Sequence, residues 1–249
     1  MNEPTALGHI AIHDTVENIL SDVPPGRLLD VPAGEGFLAK RLAKHGFDVS
    51  CCDLYPQIFR LEGIENRQGN LDSTLPYDDQ SFDHIVCVEG LEHIENPANA
   101  IREFSRLLKS DGDLIVSVPN VMNIEERLKW LFFGYTSHFK PLSAEARKGI
   151  ADVLDSKDFD GMDEVAYHVT PLGYSELRFL LEKNRFVIEG LFVDKHKKNS
   201  WAFMPLIALI RMISKFTGKA KRKERWTDEL NSREVLTGGN TLIFKAKKV

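Results

Sequence analysis

Cysteine is scarce: Cys51, Cys52 and Cys87 are the only three in 249 residues, and no CxxC is present. So small and unpaired a set excludes a disulfide framework and a thiolate zinc site. All three lie in apolar runs, DVSCC and HIVCV, and read as buried reduced thiols of a cytoplasmic protein. Long hydrophobic runs are missing as well. No stretch reaches the roughly 18 apolar residues of a bilayer span, and the opening MNEPTALGHIAIHD lacks the charged-then-apolar pattern of a secretion signal. There is no internal repeat or low-complexity tract. What remains is the composition of an ordinary globular chain, 43% apolar and 28% charged. A chain of this length buries about three quarters of its unfolded surface around one large core, so residues 1–249 are predicted to form a single domain.

The net charge of −5 is unevenly distributed. Residues 195–225 hold ten Lys or Arg against one acid, Glu224, which leaves the rest of the chain strongly acidic. A block this basic points to an anionic surface, lipid or nucleic acid, or to a solvated helix and loop.

From Arg27 onward, apolar runs of strand length alternate with amphipathic stretches of helix length, the pattern of a parallel sheet with crossover helices. Strands are predicted near 27–31, 48–52, 66–69, 82–88 and 112–118, with two late ones in FVIEGLFVD and GNTLIFKAKK. Helices are predicted around Val16–Leu20, over Gly36–His45, over Ala98–Lys109 with SDG as its stop signal, and in PLGYSELRFLLEKNRF. A basic, apolar helical insert, 195–236, separates the last two strands.

The sharpest signal is LLDVPAGEGFLAKRLAKHGFDVSCCDLYP. A strand ending in Asp30 enters a small-residue turn, Pro32-Ala33-Gly34-Glu35-Gly36. A helix follows, then a second strand ending in Asp53, seventeen residues after Gly36. Glycines let a ligand approach the backbone at a helix start, and an acid at the second strand tip accepts both hydroxyls of a ribose. GxGxxG, however, is absent. A pyrophosphate would meet two acids here, Asp30 and Glu35, which instead favour a cationic ligand without phosphate, such as S-adenosyl-L-methionine.

These residues resemble the class I S-adenosylmethionine-dependent methyltransferases of the small-molecule branch, from about Arg27 through Asn120. Pro32 stands where that family usually has the first glycine of its DxGxGxG turn. The resemblance implies a Rossmann-like, doubly wound α/β sheet of seven strands with the last antiparallel. It assigns Asp30 and Gly34 to the amino-acid end of the cofactor, Asp53 and Leu54 to ribose and adenine, Asn70 and Leu71 to adenine, and Val88 with Glu89 to the methionine portion. Gly36 lets the helix start close by.

The acceptor side is less determined. Glu89, Glu92 and His93 form ExxEH, whose spacing would place three ligand-type side chains on one helical face. The cluster resembles the metal-binding set of ubiquinone-pathway O-methyltransferases and small-RNA 2'-O-methyltransferases, in which a second His lies downstream; His168 matches it best. Two oxygens and two imidazoles suit Mg or Zn and would acidify a bound hydroxyl. Alternatively, His93 or His168 acts as a plain general base, or EH merely closes the turn. His138 and Tyr135 fall on the segment, 121–170, that usually roofs the acceptor pocket. After the fourth strand the chain has CVEG rather than the [DN]PP[YF] of amino-group methylases, which favours an oxygen or carbon acceptor.

The insert SWAFMPLIALIRMISKFTGKAKRKER suits an anionic membrane interface through residues 200–225, at the inner membrane face, or a homodimer contact with a basic tail. Without a base-stacking module, nucleic acid is disfavoured. The expectation is methyl transfer to a hydroxyl of a small or lipid-linked metabolite, a sugar or a catechol-like ring. The rivals are RNA 2'-O-methylation and a non-catalytic scaffold that binds the cofactor.

Overall fold

A computed structural model describes residues 3–138 and 168–249. Seven strands form one sheet: β1 (Arg27–Asp30), β2 (Asp48–Asp53), β3 (Asn66–Gln68), β4 (Phe82–Cys87), β5 (Leu108–Pro119), β6 (Phe186–Val193) and β7 (Thr241–Lys248), in the order β3-β2-β1-β4-β5-β7-β6. β1 to β5 pair in parallel, and β7 lies between β5 and β6, antiparallel to both. This is the expected α/β architecture with its last strand reversed.

Central strands are apolar on both faces because helices cover both. Adjacent residues of one strand therefore feed different cores. Leu28, Cys51, Val86, Ile115 and Ile243 pack beneath α1 (Ile10–Ser21) and α2 (Phe37–Lys44), together with Ile12, Val16, Leu38 and Leu42. Leu29, Cys52, Ile85, Val116 and Phe244 face α3 (Pro97–Leu107) and, later in the chain, α5 (Tyr174–Lys183), together with Ile101, Phe104, Leu177 and Leu181. All three thiols are free and buried.

One helix boundary differs from expectation. α3 ends at Leu107, and the KSDG segment belongs to β5 rather than forming a helix stop. Phe82 pairs with Leu108 but His84 pairs with Asp113, so the chain bulges there, and Asp111 takes a left-handed φ of 60°. SDG carries a turn signal, but here the turn lies inside a strand.

Between β5 and α5 lies α4 (Ile124–Phe133), capped by Asn123, whose side chain accepts bonds from the amides of Glu125 and Glu126. Four helices, α6 (Met204–Phe216), α7 (Lys219–Glu224), α8 (Thr227–Leu230) and α9 (Arg233–Thr237), fill the predicted insert. The strand order reverses between β1 and β4, and the carboxyl ends on either side of that point form the crevice where such sheets bind ligands.

Phe244 is fully buried between β5 and β6, with the Tyr174 ring 5.3 Å away. Phe244→Ala is expected to lower unfolding stability by about 3–5 kcal/mol in urea titration. Phe132→Ala, on an exposed stretch of α4, should change it by no more than about 0.5 kcal/mol.

Candidate active site

β1 and β2 end side by side, and the turn between β1 and α2 ties them together. Gly34 and Gly36 have φ of 54° and 92°, a region that β-carbon-bearing residues avoid. This lets the amide of Gly34 donate to Asp53 Oδ2 at 2.8 Å, while the amide of Tyr55 donates to Oδ1 at 2.8 Å. Asp53 is thus clamped at the tip of β2 with Leu54, 38% exposed, beside it. Pro32 follows a cis peptide bond, and its ring packs so closely on Gly90 that a Cβ there would come within 2.6 Å of it.

Asp30 is 2% exposed, and among the described residues its Oδ2 has no hydrogen-bond partner. Burial, with the nearby Asp53 adding to it, raises its carboxyl to about 8. Burial also raises Asp53, against the backbone amides that bond it.

Glu35 does not join these acids. Its carboxylate turns inward to the Arg60 guanidinium at 3.0 Å and accepts bonds from the amide and hydroxyl of Thr5 at 2.8 and 2.9 Å. A sequence window cannot reveal this, because Arg60 and Thr5 lie 25 and 30 residues away. The same contacts anchor a segment that sequence reasoning missed. Leu7 packs on Gly34, whose added Cβ would lie 3.0 Å from its side chain, and Gly8 approaches Glu89. Residues 5–8 therefore run across the turn that the ligand would approach.

Asn70 and Leu71 follow β3. The Asn70 side chain accepts the Asp72 amide at 2.8 Å, fixing the turn, and Leu71 is buried, as is Val88 at the end of β4. All the predicted cofactor positions thus lie at the carboxyl end of the sheet.

The ExxEH side chains do not share a helix face. Glu89 has a left-handed φ of 51°, and only Leu91–His93 forms a single 3-10 turn. This backbone separates Glu89 from its neighbours. Its amide donates to Ser117 Oγ at 2.8 Å and its Oε1 accepts from Thr241 Oγ1 at 3.4 Å. Burial, reinforced by Asp194, raises its carboxyl to about 7.

Glu92 is fully buried, and among the described residues neither of its carboxylate oxygens has a hydrogen-bond partner. Burial and the charge of Glu89 push its carboxyl well above the usual range. Ligand atoms of Glu92, His93 and His168 all lie within 4.8 Å of one another, a set that Glu89 does not join.

His168 reaches this place because the Glu92 carbonyl accepts the amides of Val169 and Thr170 at 2.8 and 3.2 Å. Its ring lies 5.0 Å from that of His93, at a steep angle, and 6.4 Å from that of His138, nearly parallel to it. Burial lowers both His168 and His138, the latter to about 4, so both imidazoles are neutral near pH 7. Tyr135 is half exposed, outside this group. Of the proposed roof, 121–170, residues 139–167 lie outside the described residues.

Residues 29–116 match the methyltransferase-domain family. Over that segment the chain is similar to S-adenosylmethionine-dependent methyltransferases. It is similar to the ubiquinone biosynthesis O-methyltransferase of Alkalilimnicola ehrlichii, 34% identical over 116 residues, 43% of this chain and 47% of that protein. The protein of the same name from Xylella fastidiosa strain M23 is 37% identical over 103 residues, 38% and 42% of the two chains. The chain thus spans about half the length of the curated relatives it matches.

Among solved structures, the domain's fold matches an Archaeoglobus fulgidus SAM-dependent methyltransferase with a TM-score of 0.54 and 14% identity, covering 95% and 94% of the two chains. An S-adenosylmethionine-dependent methyltransferase from Mesorhizobium loti matches with a TM-score of 0.52 and 17% identity, covering 94% and 96%. At these identities the likeness is one of fold.

Raised carboxyls make a signed prediction. Between its unfolded pKa and about 8, Asp30 stays protonated in the folded protein but ionises on unfolding, so its contribution to stability falls as pH rises. Asp30→Asn removes that slope. Its melting temperature is expected to exceed wild type by a margin that widens from pH 5 to pH 8 and then levels off, as scanning calorimetry across that range would measure.

Proposed function

We propose that the chain transfers a methyl group from S-adenosyl-L-methionine to a hydroxyl oxygen of a small or lipid-linked metabolite, with a sugar or a catechol-like ring as the acceptor class. The observation that carries this reading is Glu92, buried beside two imidazoles with both carboxylate oxygens unpartnered among the described residues. The curated relatives that match part of the chain are named as O-methyltransferases, and the oxygen acceptor accords with that.

In this reading Asp30 receives the cationic amino-acid end of the cofactor. Its Oδ2, unpartnered among the described residues, and its raised carboxyl fit that role, since an ammonium would supply a counter-ion. Asp53, already oriented by two amides, retains lone pairs for the ribose hydroxyls, while Leu54, Asn70 and Leu71 border the adenine and Val88 the methionine chain. The cofactor supplies a methyl on a sulfonium. When it transfers, the carbon–sulfur bond breaks with its electron pair going to sulfur, and a carbon–oxygen bond forms in line with it.

The chain must hold the hydroxyl in line and accept its proton. His168, whose burial favours the neutral form, and His93 are the candidate acceptors, with His138 stacked behind His168. Glu92, His93 and His168 also form a donor set suited to Mg or Zn, and such an ion, when bound, would lower the hydroxyl's pKa. Glu89 borders the methionine portion. Its bonds to Thr241 and Ser117 suit a positioning role, and its carboxyl is set to ionise near neutral pH.

Calorimetry with S-adenosylmethionine and its demethylated product, followed by labelled-methyl transfer to acceptor pools, tests the reading. Asp30→Asn is expected to weaken cofactor binding at least tenfold. Glu92→Gln and His93→Ala should bind the cofactor as wild type does yet lose about 100-fold or more in methyl transfer. Failure to bind either cofactor form refutes the enzyme. Label entering RNA rather than metabolites would transfer the reading to a 2'-O-methyltransferase, and binding without turnover would make the chain a scaffold.

A further inference from the structure

α6 is built inside out. Leu209, Ile213 and Phe216 recur at i, i+4 and i+7, so they lie on one face, and that face is open, with exposures of 45%, 56% and 83%. Met204 and Met212 are half exposed, and Trp201, just before the helix, is 74% exposed. Ile207 and Ser214 are the buried positions of α6. Ile207 packs on Ile124 of α4 and Leu236 of α9, flanked by Phe203, Leu206 and Ile210. This shared cluster makes α4 and α6 neighbours. α4 also ends in exposed apolar residues, Trp130, Leu131, Phe132 and Phe133, followed by Tyr135, each at least half exposed.

Charge accompanies this apolar surface. α7 follows α6 directly, and among the described residues no ion pair involves Lys215, Lys219, Lys221, Lys223 or Arg225. Arg222 differs, lying 4.0 Å from Asp228 and donating to the Lys215 carbonyl. A run of cations without ion-pair partners among the described residues adjoins two helices that leave large apolar side chains in water, an exposure that marks interaction surfaces.

We propose that α6, α7 and the end of α4 form one docking surface for an anionic lipid bilayer. Headgroup phosphates match the lysines of α6 and α7, and the Trp, Phe and Met side chains enter the interface beneath them. No helix among the described residues is long and apolar enough to cross a membrane, so the surface lies on the bilayer. RNA would satisfy the lysines but leave Phe132, Phe133 and Phe216 in water. A twofold contact with a second copy would bring two lysine clusters into one interface.

The surface leads into the candidate site. α4 continues into a turn held by Glu126, whose carboxylate accepts bonds from Thr136 Oγ1, the Ser137 amide and the Lys129 ammonium, each 2.7 Å long. The next residue is His138, stacked on His168. With α4 seated on lipid, these imidazoles stand close to the bilayer surface; only this last step rests on the lipid-linked reading of the acceptor.

The test is co-sedimentation of the full chain with phosphatidylcholine vesicles, with and without phosphatidylglycerol. Binding is expected only to the anionic vesicles. Lys219→Gln, Lys221→Gln and Lys223→Gln combined should lower the partition coefficient about 100-fold. Ile213→Ser with Phe216→Ser, and separately Leu131→Ser with Phe132→Ser, should each lower it about tenfold. Calorimetry with the demethylated cofactor should be unchanged in all three variants, which separates failure of the docking surface from misfolding or failure of the enzyme reading. Absence of binding by the intact chain, or equal binding to neutral vesicles, overturns the proposal. So do unchanged partitioning of the α4 variant, tight binding of single-stranded RNA that competes with vesicles, and a dimer that the α6 variant converts to monomer.

Discussion

The Asp30 carboxyl stands at the switch point of the sheet, enclosed by protein, with Asp53 as its charged neighbour and no cation of the described residues paired to it. An ionised carboxylate in such a place is costly unless a positive group meets it. The surrounding structure confines the problem to this spot. Gly34 takes a left-handed turn to give its amide to Asp53, and Leu7 covers that glycine. Glu35, the third acid of the turn, is neutralised from behind by Arg60. The turn therefore presents two acids rather than three, with no cation among the described residues paired to either. A cationic cofactor answers this need, whereas a pyrophosphate would aggravate it.

The sheet was readable because its physics is local. Each strand is an apolar run bounded by turn residues, and its two-residue alternation divides between two cores. The thiols, the reversed β7 and the acids at the strand tips follow from the same pattern and from resemblance. Three readings failed for a common reason. KSDG has the composition of a helix stop, but pairing with β4 draws it into β5 as a bulge. ExxEH has helical spacing, but the left-handed Glu89 and a single 3-10 turn separate its members. Glu35 looks like a ligand group until Arg60 and Thr5 are seen beside it. Tertiary partners decided each case, and no window of sequence contains them.

The acceptor half depends on such partners throughout. His168 lies 75 residues beyond His93 in the chain and meets it because the Glu92 carbonyl captures the amides of Val169 and Thr170. His138 is held in turn by the Glu126 carboxylate. Burial alone would raise that group, but Lys129 and Thr136 hold it down to about 2. Both histidines lie outside residues 29–116, the segment that matches the methyltransferase-domain family. Glu92 and His93 lie inside that segment, so the match reaches one side of the cluster and leaves these two histidines outside it.

The two halves share one requirement, the exclusion of water. Asp30, Glu89 and Glu92 are raised, and His138 and His168 lowered, with burial the largest cause in every case. An opened acceptor side would let His138 and His168 return toward the ordinary imidazole range and Glu92 toward that of an ordinary carboxyl. A larger fraction of each imidazole would then be protonated near neutral pH. Glu126 guards against this from one side, by fixing the turn that carries His138, and the Glu92 carbonyl does so from the other. A bilayer seated against α4 would act in the same direction. It would remove water from the mouth of the site without touching any group that does chemistry, so docking and proton affinity would be coupled through burial alone.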